Sequence, residues 1–262
     1  MKTIIFERNN DSLVEVIKQF TAASYPVALT GAGISVGSGI ADFRSPGGLW
    51  STFSPEEYAT LEVFQQNPEK AWTLYRKLGK CLLGKEPNRG HRVLAELGKK
   101  NLIKGLITQN VDNLHQLAGS KNVLEIHGDH QHLQCLKCNS KIPVTPDHYQ
   151  GKIPCCNSCN VPLKPNIVLF GEDVRQLEKI ELLINRCDFL LVIGTSARVY
   201  PAAQFPGIVL QRGGIICEFN KEQSLSISSL HPSYRQNHYF IKGDLNTTLP
   251  QFAKAALNRL HQ

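Results

Sequence analysis

No stretch constrains the fold more than Pro26–Trp50, P-V-A-L-T-G-A-G-I-S-V-G-S-G-I-A-D-F-R-S-P-G-G-L-W. Val27-Ala28-Leu29 reads as a buried strand, and it breaks at Gly31-Ala32-Gly33. Glycine has no Cβ, so a backbone can turn sharply there and approach a ligand closely. A strand that ends in glycines and feeds a helix gathers free N–H groups and a positive dipole end, where phosphate binds. The usual dinucleotide pattern is G-x-G-x-x-G. Here the third glycine, Gly37, comes one place late, and Asp42-Phe43-Arg44 follow at once. Taken alone, the loop also fits a tight turn in any other α/β protein.

The same event recurs along the chain. Strands are expected at Leu102–Ile107, Phe189–Ile193 and Ile215–Phe219, ending at Gln109, Gly194 and Asn220. Shorter ones are expected at Val123–Ile126, before His127-Gly128, and at Ile167–Phe170 and Tyr239–Ile241. Between them lie helical patterns. Ser12-x-x-Glu15 and Ser54-Pro55-x-Glu57 read as capping boxes. Further helices are expected from Asn67-Pro68 to about Leu83, over Asn88–Lys99, near Gln176–Asn185 and over Leu249–Leu260. Alternation of strands with helices predicts an α/β fold with a mostly parallel sheet covered on both faces. Four apolar strands ending in polar or glycine-rich loops would line one sheet edge with nucleotide-binding groups.

Residues 135–159 break this pattern. Cys135-x-x-Cys138 and Cys156-x-x-Cys159 are separated by seventeen intervening residues, the spacing of a four-cysteine zinc site. Cys155 could replace Cys156, though the C-x-x-C frame favours Cys156. Four thiolates leave no open position, so the metal would be structural. Cys81, Cys187 and Cys217 sit among apolar neighbours and read as core residues. Paired cysteines in a chain with no recognisable export signal favour metal over disulfides, and a reducing, cytoplasmic setting.

The 262 residues suffice for one large domain, or one plus a small one. No apolar run approaches 18 residues, so no membrane span is expected. The net charge of +7 favours acidic partners such as nucleotide phosphates. No dense Lys/Arg block indicates dedicated nucleic-acid binding.

Together these residues resemble the sirtuins, the NAD-dependent protein lysine deacylases. The resemblance rests on Gly31-Ala32-Gly33-Ile34-Ser35, Asp42-Phe43-Arg44, Gln109-Asn110-Val111-Asp112, His127-Gly128, the two C-x-x-C pairs, Phe170-Gly171-Glu172, Gly194-Thr195-Ser196 and Pro201-Ala202-Ala203, in the family's order from about Pro26 to Pro250. It implies a large Rossmann-like domain over about 1–54, 85–128 and 165–262. A small domain would take 55–84 as its helical part and 129–164 as a zinc ribbon. An acyl-lysine peptide would lie in the cleft between them.

The resemblance also implies roles. His127 matches the general base that activates a ribose hydroxyl, and histidine suits that work near neutral pH. The products would be nicotinamide, deacylated lysine and O-acyl-ADP-ribose. Asn110 and Asp112 match residues that orient the nicotinamide ribose and amide, although an Asx turn capping the next helix would use the same residue types. Phe43 matches the aromatic that shields the ribose, with Asp42 and Arg44 beside it; a guanidinium suits a diphosphate. Gly31, Ala32, Gly33, Ser35, Gln109, Gly194, Thr195, Ser196, Asn220, Lys221, Glu222 and Leu245 match cofactor-binding positions, several through backbone. Val168 to Glu172, with Phe170 and Gly171, resembles the segment that pairs with substrate backbone.

The acyl pocket departs from one branch of the family. Members that remove succinyl or malonyl groups carry Tyr-x-x-Arg on a helix. Here Tyr75 is followed by Leu78, and Arg76 lies about 100° around the helix. A neutral acyl group, acetyl first, is therefore expected, unless Tyr75 and Leu78 are simply core. Ala41 stands where the family usually has proline. Two rivals remain at this level: a protein mono-ADP-ribosyltransferase, and a non-catalytic zinc-ribbon protein that binds nucleic acid.

Overall fold

The computed structural model describes residues 2–5, 11–42, 47–225, 234 and 236–260. Strands β1 (Lys2–Ile4), β2 (Pro26–Thr30), β3 (Gly105–Thr108), β4 (Val123–Glu125), β8 (Phe189–Ile193), β9 (Ile215–Asn220) and β10 (His238–Lys242) form one parallel sheet, in the order β1-β10-β9-β8-β2-β3-β4. From β2 the chain winds outward to β3 and β4. It then returns to β8 on the other side of β2 and winds the opposite way. The point where the winding reverses lies between β2 and β8, and open α/β sheets bind ligands there, beyond the strands' carboxyl ends.

Burial on both faces follows from the strand sequences. Phe189, Leu191 and Ile193 of β8 pack on one side, with α1 (Asp11–Ala22), α5 (Arg89–Lys99) and α9 (Leu245–Arg259). Leu190 and Val192 pack on the other, with α7 (Leu177–Arg186) and α8 (Phe205–Gln211). Because successive side chains alternate across a strand, an unbroken apolar run serves two layers at once.

A third core stands apart from the sheet. It joins α3 (Leu61–Gln66) and α4 (Pro68–Leu82) to the antiparallel strands β5 (Gly128–Gln134), β6 (Lys141–Pro143) and β7 (Lys164–Ile167), ordered β6-β5-β7. Trp72 and Tyr75, both fully buried, anchor it; Trp72 Nε1 donates to the Leu163 carbonyl at 2.8 Å.

Several local expectations need correction. Helix α1 begins at Asp11, so Ser12 lies inside it rather than at its cap. Ser54 does precede the one-turn α2 (Pro55–Tyr58), but its hydroxyl donates to Glu56 and caps no backbone. The Ile167–Phe170 strand is displaced: β7 ends at Ile167, because pairing with β5 selects Lys164–Ile167. Strand β3 starts at Gly105, three residues later than expected. The closing helix begins at Leu245, where Asp244 accepts the Asn246 N–H, and it carries Pro250 inside.

Candidate functional site

Four loops meet at the winding reversal. The N–H of Gly31 donates to Ile193 O at 3.0 Å, that of Gly33 to Gly194 O at 2.8 Å, and that of Gly194 to Phe219 O at 3.0 Å. A Cβ on Gly33 would stand 2.8 Å from Gly194 Cα, and one on Gly31 would stand 2.8 Å from Thr195 Cβ. These glycines therefore let two loops touch backbone to backbone, which the fingerprint reading did not anticipate. Gly194, at φ +59, would also strain under any side chain. Ala32–Ser38 then forms a 3₁₀ turn above the reversal point.

Polar side chains lace the loops together. Gln109 Nε2 donates to Thr195 Oγ1 at 2.8 Å, joining the β3 and β8 loops. Asn110 is buried, and its amide donates to Gly31 O (3.2 Å) and Ser35 Oγ (3.1 Å). Ser35 Oγ in turn donates to Asp112 Oδ2 at 2.6 Å. The other Asp112 oxygen accepts the Leu114 N–H at 3.0 Å, starting the short helix α6 (Leu114–Leu117). The Asx turn and the bond from Ser35 thus share one carboxylate. Burial pushes the Asp112 carboxyl up, opposed by the Ser35 hydroxyl and the Leu114 N–H.

His127 leaves the end of β4 partly exposed. Its Nδ1 donates to the Gln109 carbonyl at 3.0 Å. A carbonyl can only accept, so Nδ1 carries the proton and Nε2 keeps the lone pair. Burial lowers the ring's affinity for a second proton, with the Gln109 carbonyl acting the other way. The next residue, Gly128, has φ +77 and no room for a Cβ against the Asn166 carbonyl.

Beyond His127, its own carbonyl accepts the Val168 N–H at 2.8 Å, which carries the 168–172 segment alongside. Phe170 is 47% exposed, and its backbone bonds Ala59 O and Leu61 N. The Glu172 side chain turns inward: it accepts from Leu169 N at 2.8 Å and lies 2.9 Å from Lys164 Nζ, which is fully buried. Tyr75 and Leu78 both face the third core, at 0% and 7% exposure. Tyr75 Oη is buried without a hydrogen-bond partner among the described residues.

On the far flank, Asn220 Nδ2 donates to Thr195 O at 3.1 Å, while Lys221 and Glu222 are exposed. Ser196 follows Thr195 at the loop's half-buried turn. Leu245 packs into the sheet core at the start of α9. Asp42 is half-buried at the end of the 3₁₀ loop; Phe43 and Arg44 lie outside the described residues.

The Sγ atoms of Cys135, Cys138, Cys156 and Cys159 lie within 4.8 Å of one another. Zinc at about 2.3 Å from each sulfur would place them roughly 3.8 Å apart, and Cys138 and Cys156 stand 3.7 Å apart. The set fits one structural zinc ion. Both turns have the same build: Asn139 N donates to Cys135 O and Asn160 N to Cys156 O, with both asparagines left-handed at φ 60 and 51. The doubled C-x-x-C-N pattern is legible in the sequence. Cys155 is exposed and outside the cluster, which decides for Cys156.

The family model for the Sir2 family matches residues 31–201. This chain belongs to the Sir2 family. A relative from Pyrococcus furiosus named NAD-dependent protein deacylase is 39% identical over 92% of this chain and 97% of its own length. A Sulfolobus acidocaldarius protein named NAD-dependent protein deacetylase is 43% identical over 80% and 84%. A crystal structure of a Sir2 homologue–NAD complex superposes with a TM-score of 0.85 at 36% identity, covering 94% of each chain. A Sir2–p53 peptide–NAD+ structure reaches 0.76 at 32%, covering 94% of this chain and 98% of the other. As a Sir2-family member the chain has the expected α/β sheet and cysteine cluster, and no helix among its described residues is long and apolar enough to cross a membrane.

Sequence reasoning missed a layer beneath this Sir2 site. His91 Nδ1 accepts the Asn88 N–H at 3.3 Å, so Nε2–H faces Ser35 Oγ at 3.4 Å and feeds the bond to Asp112. His115 Nε2 lies 3.0 Å from Thr30 Oγ1, which donates to Thr108 Oγ1. The two rings meet edge to face at 4.8 Å. Burial pushes His91 down to about 4 and His115 well below the usual histidine range, so both stay neutral.

Proposed function

We propose that this chain is an NAD-dependent protein lysine deacylase that releases nicotinamide, with His127 as its general base. The observation that carries the reading is the convergence of His127, Asn110 and Asp112 on the carboxyl ends of β3 and β4, beside the winding reversal. When bound, NAD supplies an electrophilic ribose carbon with nicotinamide as the leaving group. Gly31, Ala32, Gly33, Ser35, Gln109, Gly194, Thr195, Ser196 and Asn220 would hold the dinucleotide, with Asp42, Phe43 and Arg44 from the adjoining loop, Lys221 and Glu222 from the far flank, and the backbone at Leu245.

The chain's own groups then have separate tasks. His127 Nε2, with its lone pair set by the Gln109 contact, takes a proton from a hydroxyl brought to it. Asn110 commits both amide hydrogens to Gly31 and Ser35, and its carbonyl oxygen can only accept. Asp112 offers a carboxylate oriented by Ser35 and Leu114. The 168–172 segment, with Phe170, Gly171 and Glu172, lies beside His127 and would pair with an extended acyl-lysine peptide. O-acyl-ADP-ribose is the product that makes the enzyme formally an acyltransferase.

We read residues 55–84 and 129–164 as a small lobe closing over this peptide, supported by their separate core. From outside those bounds that core also takes in Leu49, Trp50, Phe53, Val111, Ile167 and Leu169. The acyl group is neutral in this reading, acetyl first, because Leu78 offers no cation beside Tyr75. The clustered, unbridged cysteines support a reducing, cytoplasmic setting.

The test is nicotinamide release from NAD with acetyl-, succinyl- and myristoyl-lysine peptides, with His127→Ala in parallel. Release that requires an acyl peptide and disappears in the variant supports the proposal. Release without peptide, with label on protein, replaces it with ADP-ribosyl transfer. No release from folded, zinc-loaded protein removes it.

A further inference from the structure

Glu218 lies in the middle of the sheet, 1% exposed, and none of the roles above uses it. Its Oε2 accepts from His238 Nε2 at 3.0 Å; His238 opens the neighbouring β10 and is fully buried. Its Oε1 accepts three further hydrogens: from Ser224 N at 2.6 Å, Ser224 Oγ at 2.8 Å and Leu225 N at 3.3 Å. A carboxylate inside the sheet therefore ties down the far end of the turn that leaves β9. Asn220 ties down the near end, through Thr195 O and Ser224 Oγ. Between the two anchors Lys221, Glu222 and Gln223 stand exposed.

Removing a carboxylate from water is costly, and an apolar residue of similar volume serves a core as well or better. Stability alone does not call for Glu218. Its bonds impose a single shape on the 220–225 turn. The position of that turn says what the shape is for. Strands β9, β8, β2, β3 and β4 are consecutive neighbours, so four spacings of about 4.8 Å put the turn roughly 19 Å along the sheet edge from His127. A dinucleotide with its nicotinamide ribose at His127 and its diphosphate at the winding reversal would have its adenosine half on the side of this turn.

We propose that Glu218, held in place by His238, is a positioning residue for the adenosine half of the dinucleotide, acting by pre-ordering the 220–225 turn. The proposal rests on the deacylase reading above. It separates affinity from chemistry, because Glu218 touches neither the reacting carbon nor the peptide segment. Pre-ordering raises affinity by reducing what must be ordered on binding.

The experiment measures ADP-ribose Kd by calorimetry on zinc-loaded protein, together with kcat and the KM values for NAD and acetyl-lysine peptide, for Glu218→Leu, Glu218→Gln and Ser224→Ala. Glu218→Leu is expected to weaken ADP-ribose and raise KM for NAD by about tenfold or more, with kcat and peptide KM within about twofold. Glu218→Gln keeps an oxygen for Ser224 and Leu225 and should recover most of the affinity. Ser224→Ala, a mild change in a half-buried turn, should weaken ADP-ribose by about threefold and speed amide exchange at Leu225; it keeps the test open should Glu218→Leu fail to fold. Folded variants with wild-type ADP-ribose Kd overturn the proposal, as does a loss that falls on kcat instead. Wild-type protein that binds no ADP-ribose and releases no nicotinamide overturns the deacylase reading itself.

Discussion

The Nδ1 of His127 stands 3.0 Å from the carbonyl oxygen of Gln109, and that contact decides which ring nitrogen can act as base. Replacing His127 with alanine should lower kcat/KM by about 10²–10⁴-fold, the usual worth of a general base. The pH profile should carry a matching sign. A general base works unprotonated, and burial holds the His127 pKa below the usual 6.5. The acid limb of kcat/KM should therefore be centred below pH 6.5. A limb centred above 6.5 would contradict the assignment.

Acid should also unfold the protein by a route that can be located. His91 and His130 are buried, and burial lowers each to about 4. In the unfolded chain both take a proton near 6.5. Their contribution is complete above about 6.5 and is lost as pH falls toward 4. For His91 alone the loss is about 3 kcal/mol at pH 4. Urea midpoints between pH 7 and 4 should show this slope, and His91→Gln should reduce it while leaving the His130 share.

The cysteine cluster makes a discriminating pair of variants. Cys155→Ser should keep one zinc per chain, because Cys155 lies outside the cluster. Cys156→Ser should lose it. Metal loss should disturb the third core, where Trp72 bonds the Leu163 carbonyl close to the ribbon. Metal analysis together with Trp fluorescence before and after chelation reads both effects.

Lys164 and Glu172 should set the 168–172 segment that is proposed to pair with peptide. Lys164 Nζ reaches Ile167 O at 2.5 Å and Glu172 at 2.9 Å with no exposure to water. Lys164→Met leaves Glu172 unpaired and should cost about 3–5 kcal/mol of stability. In protein that remains folded, KM for the acyl peptide should rise while KM for NAD stays near wild type. Lys164→Arg should recover much of the peptide KM. Equal changes in both KM values would assign the pair to general stability instead.

How much of this was readable from the residues alone differs by element. Phe189–Ile193 was located to the residue, since a run of five apolar side chains buried on both faces has no other place to go. The strand Lys164–Ile167 was misplaced, because a lysine, a proline and an asparagine give no apolar period. Its pairing with β5 and the buried contact to Glu172 make it a strand. The short β1 and the helix α8 escaped for a related reason. Three residues carry no period, and Phe205-Pro206-Gly207 reads as a turn until its apolar side meets the sheet.

Local chemistry was carried by the sequence itself: strands that end in glycine or polar residues, cysteines paired at metal spacing, and a histidine at a strand end. Each depends on neighbours a few residues away, which the order of the chain specifies directly. Tertiary structure decided the remainder. It chose Cys156 over Cys155, turned Glu172 inward, made Gly33 a contact with Gly194, set the His127 tautomer through Gln109, and joined His91 to Asp112 through Ser35. In these cases the decisive partners lie far apart in the chain or in an unforeseeable direction. A hydrogen bond or a close approach exists only once the folded backbone has brought both groups within about 3 Å.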